Sequence, residues 1–287
     1  MCKCVIEYDF YTGLLRIDTV ESVSVNIMKF FESTGKMIIS LLELVGGLVS
    51  LLFSTLFFLI RGAINIRITL EQMAILGVDS LIIILLTTSF AGMVMAYQLA
   101  LQARIYGLEG FVGGGVVLTM ARELAPLLTA VVMAGRVGSA ITAQIASMKV
   151  TEQIDALRSL ATNPIRYLVV PRFLACLLMT PLLTMFSVVG GTAGGYFVAT
   201  GQGINPYTYM DSIKMFFKVS DLTGGLIKAL VFGATVAIVG CYIGLITEGG
   251  AAGVGRSTTN SVVIATVLIF LFNFPLTVVI FGNSGFK

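Results

Sequence analysis

The stretch Thr151-Glu152-Gln153-Ile154-Asp155-Ala156-Leu157-Arg158 lies between two long apolar runs, at residues 112–147 and 167–200. A hydrophobic chain that places a compact segment of mixed charge between two membrane runs offers a docking element to a soluble partner. This charged segment (residues 151–158) therefore indicates a membrane subunit that is driven by another protein. The alternative is an ordinary solvated helix in a loop.

The charged segment has the pattern of a short amphipathic helix over about 151–160. One stripe of this helix carries Val150, Ile154, Leu157 and Ala161, at i, i+4, i+7 and i+11. Thr151 can cap its start, and Glu152 lies in the first turn, where the helix dipole favours an acid. Asn163 before Pro164 is a good start for the next helix. The order is therefore membrane helix, turn, short surface helix, turn, membrane helix.

The composition is that of an all-α integral membrane protein. Of its residues, 57% are hydrophobic and 11% are charged, whereas about a quarter of the residues of soluble domains are charged. A chain of 287 residues can hold several spans, since each needs about 20 mostly apolar residues. Because no polar stretch is long enough for a soluble domain, we expect an N-terminal surface part (1–64) and one transmembrane domain (65–287).

Six strongly apolar runs follow one another, at 37–60, 75–101, 112–147, 167–200, 223–247 and 259–282. The third run would reach ~50 Å as a helix, against a hydrocarbon core of ~30 Å, so that tilt, a kink at Pro126 or projection from the membrane must absorb the excess.

The first run is long enough to cross, but charge argues against it. If 37–60 crossed, Lys3, Arg16, Lys29 and Lys36 would leave the side of the charged segment, and the excess of basic residues there would nearly vanish. We therefore predict that this run is an interfacial helix and that the last five runs span the membrane.

Several chemistries are excluded or weakly supported. The chain has no histidine and no GxxxxGK[ST] phosphate loop, so it cannot hydrolyse ATP alone. Nucleic-acid binding lacks a basic patch with interleaved aromatics. The pair Cys2 and Cys4 is a weak metal signal, and Cys176 and Cys241 in apolar runs are expected to act as small hydrophobes. No cofactor and no metal site is predicted in this chain.

Four of the charged residues inside the apolar runs are candidates for a functional role, namely Arg122, Glu123, Arg136 and Lys228. Buried charges in membranes usually face the bundle interior or a wet cavity. One interpretation is a polar lining for a lipid pathway, with Arg122 or Lys228 attracting a headgroup phosphate. The other is interhelical pairing, with Glu123 neutralising Arg136 or Lys228. Gly190, Gly191, Gly194, Gly195, Gly240 and Gly244 have the spacing of small residues at helix contacts, most simply within the chain.

Several motifs resemble one family. They are EQIDAL (152–157), PIRYLVVPR (164–172), RELAPLLTA (122–130), AGRVGSA (134–140) and GVGRSTT (253–259). In this order they resemble the permeases of MlaE-type ABC transporters (the MlaE/YrbE family), and the resemblance covers about 65–282. The tract Asp221–Phe232 and the segment Thr69–Met73 are most similar to the cyanobacterial and plastid branch.

The resemblance implies a permease homodimer whose subunits each have an interfacial N-terminal helix and five transmembrane helices. It also implies an ABC ATPase subunit that binds ATP and Mg²⁺, an MCE-domain lipid-binding protein on the opposite side, and phospholipid or a related polar lipid as cargo. The ATPase would dock on a coupling helix that includes Thr151, Glu152, Gln153, Ile154, Asp155, Leu157 and Arg158. The host membrane would be a bacterial inner membrane or a plastid inner envelope membrane.

Two positions depart from the family pattern. Asn163 stands where many members carry Asp, and Gln144 stands where many carry Glu. Asn163 keeps the capping role but not the charge. The resemblance also places the Arg122–Glu123 pair near a lipid cavity at the dimer centre.

Two rival functions belong to other classes. An ion-coupled secondary transporter would use Arg122, Glu123 and Arg136 as a relay and would need no ATPase. An intramembrane enzyme has little support, since histidine, a GxSxG elbow and a paired-Asp motif are all missing from the sequence.

Overall fold

The computed structural model describes residues 35–36, 38–62 and 65–282. Eight helices are numbered here in chain order: α1 (Ile38–Ile60), α2 (Ile66–Tyr106), α3 (Glu109–Val150), α4 (Gln153–Ser159), α5 (Ile165–Gly201), α6 (Pro206–Phe216), α7 (Val219–Leu245) and α8 (Gly250–Phe281). No strand occurs in this described part. The surface helices expected before residue 35, and the pair Cys2 and Cys4, lie outside it.

Six of these helices are long and apolar enough to cross a membrane, namely α1, α2, α3, α5, α7 and α8. The prediction of an all-helical multi-pass membrane protein is therefore confirmed. The chain divides into two compact units at Ser50 and Leu51, so α1 belongs to both. The interfacial position of α1 and the boundary at residue 64 stay predictions.

The long helices contain π-helical segments, and two of these precede a proline. Met120–Leu124 in α3 comes just before Pro126, and Ile165–Val169 in α5 comes just before Pro171. Proline lacks an N–H and its ring clashes with the carbonyl four residues earlier, and a wider turn at this point relieves both problems. The irregularity expected at Pro126 is thus a π segment, and this segment contains Arg122 and Glu123.

The helices pack with their backbones close together, and glycine makes this possible. A Cβ atom on Gly92 of α2 would lie 1.9 Å from the carbonyl oxygen of Gly191 in α5. One on Gly225 of α7 would lie 2.1 Å from the carbonyl oxygen of Ala121 in α3. The glycines singled out in the sequence contact other helices of the same chain, which confirms their expected use in intrachain packing.

The two ends of the bundle differ. The α4 end holds α4 and the first residues of α2 and α5, whereas the α6 end holds α6 and the first residues of α7. Helix α3 ends at Val150 and is followed at once by α4, and α5 begins at Ile165 after a short connection. The predicted order of membrane helix, short helix, membrane helix is confirmed here.

Helix α4 differs in detail from its prediction. Ile154 is fully buried and so anchors the helix, as the apolar stripe predicted. The prediction that Thr151 caps α4 was wrong: the Thr151 hydroxyl donates to the Ser147 carbonyl, so it closes the end of α3 instead. Glu152 precedes α4 with φ +59°, a left-handed conformation that is uncommon for a non-glycine residue. Asn163 does cap α5, since its Oδ1 accepts the Ile165 N–H at 2.9 Å.

Candidate functional site

A cluster of four charged side chains joins α3 and α7. Arg122 donates from Nε and Nη2 to Oδ1 of Asp221, at 3.0 and 2.7 Å. The other carboxylate oxygen of Asp221, Oδ2, accepts the backbone N–H of Lys218. Lys228 donates from Nζ to Oε1 of Glu123 at 2.7 Å. The cluster thus contains two cations and two anions, and its formal charges cancel.

The spacing of the residues explains how both pairs form. Arg122 and Glu123 are adjacent, so they point in different directions from α3 and cannot pair with each other. Asp221 and Lys228 are seven residues apart in α7, which places them on one face about 10 Å apart along the axis. The close approach at Gly225, midway between them, brings this face against α3.

Helix α8 completes the cluster around Glu123. Thr277 donates to Oε1 of Glu123 at 3.0 Å, and the Asn273 side-chain amide donates to Oε2 at 3.3 Å. The ring of Phe281 lies 5.0 Å from the Arg122 guanidinium and 5.2 Å from the Lys228 ammonium, so both cations are within cation–π distance. The Glu123 carboxylate is therefore held by two helices.

Arg122 and Lys228 differ in what they can offer a ligand. Lys228 is fully buried, and its three N–H groups have three partners in Glu123, the Arg122 carbonyl and Thr277. The Arg122 side chain is 34% exposed, and its bonds to Asp221 use Nε and Nη2 but not Nη1. Arg122 is thus the cation of this cluster that remains open to an anionic group.

Arg136, the fourth predicted pathway residue, lies elsewhere. It is fourteen residues after Arg122, about 21 Å along α3. Its Nη1 donates to the Ser80 hydroxyl at 2.8 Å, and its Nη2 lies 3.8 Å from the Asp79 carboxylate, both on α2. Of the two partners considered for Glu123, the structure thus shows Lys228. Arg136 instead pairs with residues of α2.

An apolar groove lies at the level of the charged cluster, although none of the four charged residues lines it. It has a volume of about 440 Å³ and is lined by residues of α3, α5, α6 and α7, including Val117, Tyr196, Tyr209 and Leu222. Leu222 directly follows Asp221 in the chain, so the groove reaches the level of the Arg122–Asp221 pair. A charged group and an apolar groove at one level of the bundle match the two parts of an amphiphile.

Tyr209 is one of the residues that line this groove. Its side chain is buried, and its hydroxyl donates to the Thr192 carbonyl at 3.4 Å. Burial raises the pKa of the Tyr209 phenol, so this side chain stays neutral at physiological pH. The groove therefore gains no charge from its one buried phenol on α6.

A second buried cation lies towards the α4 end. Arg172 of α5 is 9% exposed. Its Nη1 donates to the Leu168 carbonyl at 2.9 Å, and its Nη2 donates to Oε1 of Gln144 at 3.1 Å. Its Nε has no partner and it forms no ion pair with a carboxylate, among the described residues. The neutral residue noted at position 144 thus faces a buried arginine.

Gln144→Glu is expected to raise the free energy of unfolding by about 1 kcal/mol, because a hydrogen bond to a charged acceptor is stronger than one to a neutral amide. Position 144 is exposed, so the new carboxylate keeps part of its hydration. Thermal unfolding of the purified chain in detergent would measure the change. Gln144→Met is the matched control, and it should destabilise because it leaves Nη2 unpaired. Equal melting temperatures for the two variants would show that the contact between position 144 and Arg172 does not affect stability.

The charged segment presents a mixed surface at the α4 end. Asp155 pairs with Lys149 at 3.3 Å and with Arg158 at 2.9 Å. Glu152 and Gln153 are exposed, and Glu152 forms no ion pair with any described residue. Leu157 is half-buried beside the fully buried Ile154. The segment thus has one anchored face and one polar face that remains open.

Four participants were not predicted from the sequence as site residues: Asp221, Asn273, Thr277 and Phe281. Asp221 had a recognisable signal, since an acid at the start of an apolar run can pair with a nearby buried cation. Asn273 and Thr277 are ordinary polar residues of a span, and only the packing of α8 shows that they bond to Glu123.

The six apolar helices define a multi-pass membrane protein. Residues 69–279 match the family described as Permease MlaE. The chain belongs to this family, as the motifs predicted.

Three relatives show how far the similarity extends. A probable ABC transporter permease protein of Synechocystis sp. is 49% identical over 228 residues, which cover 79% of this chain and 87% of the relative. A probable ABC transporter permease protein of Pyropia yezoensis is 39% identical over 238 residues, 83% of this chain and 90% of the relative. The chloroplastic protein TRIGALACTOSYLDIACYLGLYCEROL 1 of Arabidopsis thaliana is 39% identical over 228 residues, 79% of this chain and 65% of the relative.

Proposed function

We propose that this chain is the membrane-spanning subunit of an ABC transporter that moves phospholipid or a related polar lipid. One observation carries the proposal: a charge-paired cluster inside an apolar bundle keeps one guanidinium partly open, at the level of an apolar groove. Arg122 would contact the phosphate or another polar headgroup, while acyl chains would lie along the groove. Membership of the MlaE permease family and a relative whose name refers to a lipid support this class of cargo.

The cluster's remaining residues would position Arg122. Asp221 fixes two of its nitrogens, and Lys228 bonds its backbone carbonyl. Because the formal charges cancel, the cluster can persist in a low-dielectric bundle and still present one guanidinium edge. Arg136 would contribute to the connection between α2 and α3 and not to the headgroup contact.

Energy would come from a separate ATPase subunit, which would bind ATP and Mg²⁺. The docking element would be α4 with its flanking residues, since Ile154 anchors it and Glu152, Gln153 and Arg158 remain accessible. ATPase closure would press on α4 and move α3 and α5, the two helices that it connects. A second copy of this chain and an MCE-domain protein would complete the assembly, in line with the family.

Glu152→Lys is expected to reduce recovery of the ATPase by about tenfold, which corresponds to about 1.4 kcal/mol at a docking contact. Glu152 is preferable to Asp155 as a probe because it has no ion pair within the described part of the chain. Tagged wild type, Glu152→Lys and the milder Glu152→Gln would be purified from native membranes. The eluates would be compared by mass spectrometry and by vanadate-sensitive ATP hydrolysis, with and without added phospholipid.

The proposal stands if the wild type carries an ABC ATPase that phospholipid stimulates and Glu152→Lys loses it. A wild-type preparation without any ATPase would contradict the proposal and favour the ion-coupled transporter. ATPase activity that is retained equally by all three preparations would remove the docking role from Glu152.

A further inference from the structure

A second concave site opens at the α4 end of the bundle. This cleft has a volume of about 740 Å³, and it is bordered by the end of α1, the start of α2 and the start of α5. Its lining includes Phe58, Arg67, Asn163, Arg166 and Tyr167. The charged cluster of α3 and α7 contributes no residue to it.

The cleft carries positive charge that the chain does not neutralise. Arg67 and Arg166 are both exposed. Among the residues that the structure describes, neither has a carboxylate within ion-pair distance. No acidic residue lines the cleft. Two guanidinium groups without an ion-pair partner in one cleft favour the binding of an anion.

The backbone adds to the positive charge of the cleft. Helix α2 begins at Ile66 and the π segment of α5 begins at Ile165, so two helix N-termini meet at the cleft. Each N-terminus has unpaired N–H groups and a partial positive charge. Asn65 and Asn163, which line the cleft, satisfy one N–H group each. The other donors reinforce the preference for an anionic ligand that the two arginines establish.

The position of the cleft favours a lipid over a soluble anion. It lies where two apolar helices begin, which is the depth of the membrane–water interface. Apolar and aromatic side chains line it beside the arginines, and Ile66 and Tyr167 are 69% and 45% exposed. Basic pockets between membrane helices on the cytoplasmic side are a recurrent way of binding anionic headgroups.

We propose that this cleft binds the phosphate-bearing headgroup of an anionic membrane lipid from the leaflet on the α4 side. Arg67 and Arg166 contact the phosphate, and Phe58, Ile66 and Tyr167 contact the glycerol and the first acyl carbons. The cleft shares no residue with the cluster around Arg122, and we assign it a resident lipid that is separate from the cargo. Residues 161–163 connect α4 to α5 and line the cleft. The bound lipid therefore stabilises the connection that follows α4.

Native mass spectrometry of the full chain, titrated with phosphatidylglycerol, tests the proposal. Arg67→Gln/Arg166→Gln is expected to weaken binding by about 30-fold and to remove one lipid per chain, given the contribution of each basic residue to binding an anionic surface. Arg61→Gln/Arg256→Gln is the matched control, because it removes the same charge from exposed arginines outside the cleft. Arg67→Lys/Arg166→Lys keeps the charge and should retain most of the binding.

The two further arms identify the ligand. Phosphatidylcholine should bind at least tenfold more weakly than phosphatidylglycerol, and millimolar inorganic phosphate should not displace the lipid. The proposal would be overturned if the cleft variant and the Arg61→Gln/Arg256→Gln control lost lipid binding equally. It would also be overturned if inorganic phosphate displaced the lipid. It would also be overturned if the cleft variant lost its ATPase partner while keeping its lipid, because the arginines would then serve a protein contact. The measurement needs no transport, so it is independent of the proposed cargo.

Discussion

Lys228→Met is expected to lower the free energy of unfolding by about 3 kcal/mol, because it leaves Glu123 in the bundle without its cation. This value is at the low end for a broken buried ion pair, since the Glu123 side chain is 33% exposed while that of Lys228 is fully buried. The apparent melting temperature should fall by about 6–12 °C for a chain of this size.

The unfolding of these variants can be followed through cysteine labelling. The chain has no tryptophan, whereas Cys176 and Cys241 are free and buried. A thiol-reactive fluorophore will report their exposure on heating, in a background where Cys2 and Cys4 are serine. Glu123→Gln/Lys228→Met removes both charges and should recover most of the loss. A double variant as unstable as Lys228→Met alone would show that the pair carries no coupling energy.

Gly92→Ala is expected to destabilise the chain by about 2–3 kcal/mol, at the upper part of the range for overpacking. The added methyl would meet the backbone carbonyl of Gly191, so no side chain can move aside to accommodate it. Helices α2 and α5 must separate along their contact. The same thiol-labelling assay would measure the decrease in melting temperature.

Gly255→Ala provides the matched control for this change. Gly255 is an interior residue of α8, and a Cβ atom there would meet nothing within 4 Å. Alanine is the better helix former, so this variant should gain up to about 1 kcal/mol. If both alanine variants had the wild-type melting temperature, the backbone contact between α2 and α5 would be refuted.

The sequence predicts the helices well because apolar runs in a membrane have few alternatives. Every span-length helix overlaps one of the predicted runs over most of its length, although their first and last residues differ. The anchor Ile154 and the cap Asn163 follow from local patterns, periodicity in one case and Asn-Pro chemistry in the other. Thr151 shows the limit of such patterns, since a hydroxyl can bond backwards to its own helix as easily as it can cap the next.

The pairing of the charges could not be predicted in the same way. Whether Glu123 meets Arg136 or Lys228 depends on which helices are neighbours, and that depends on contacts such as Gly225 against Ala121. Asp221 enters the cluster because it is seven residues from Lys228 on one helix face. Arg136 is excluded because Ser80 and Asp79 of α2 are nearer. Local propensity contains none of this information.

The contact of Gly92 with Gly191 has a consequence for how the protein can change shape. Where the backbones of α2 and α5 touch, no side chains lie between them that could slide or repack. A shift of α5 at this point must therefore move α2 with it. Away from this contact, the π segments of α2, α3 and α5 interrupt the regular helix geometry, so they are the places where these long helices can bend when the bundle moves.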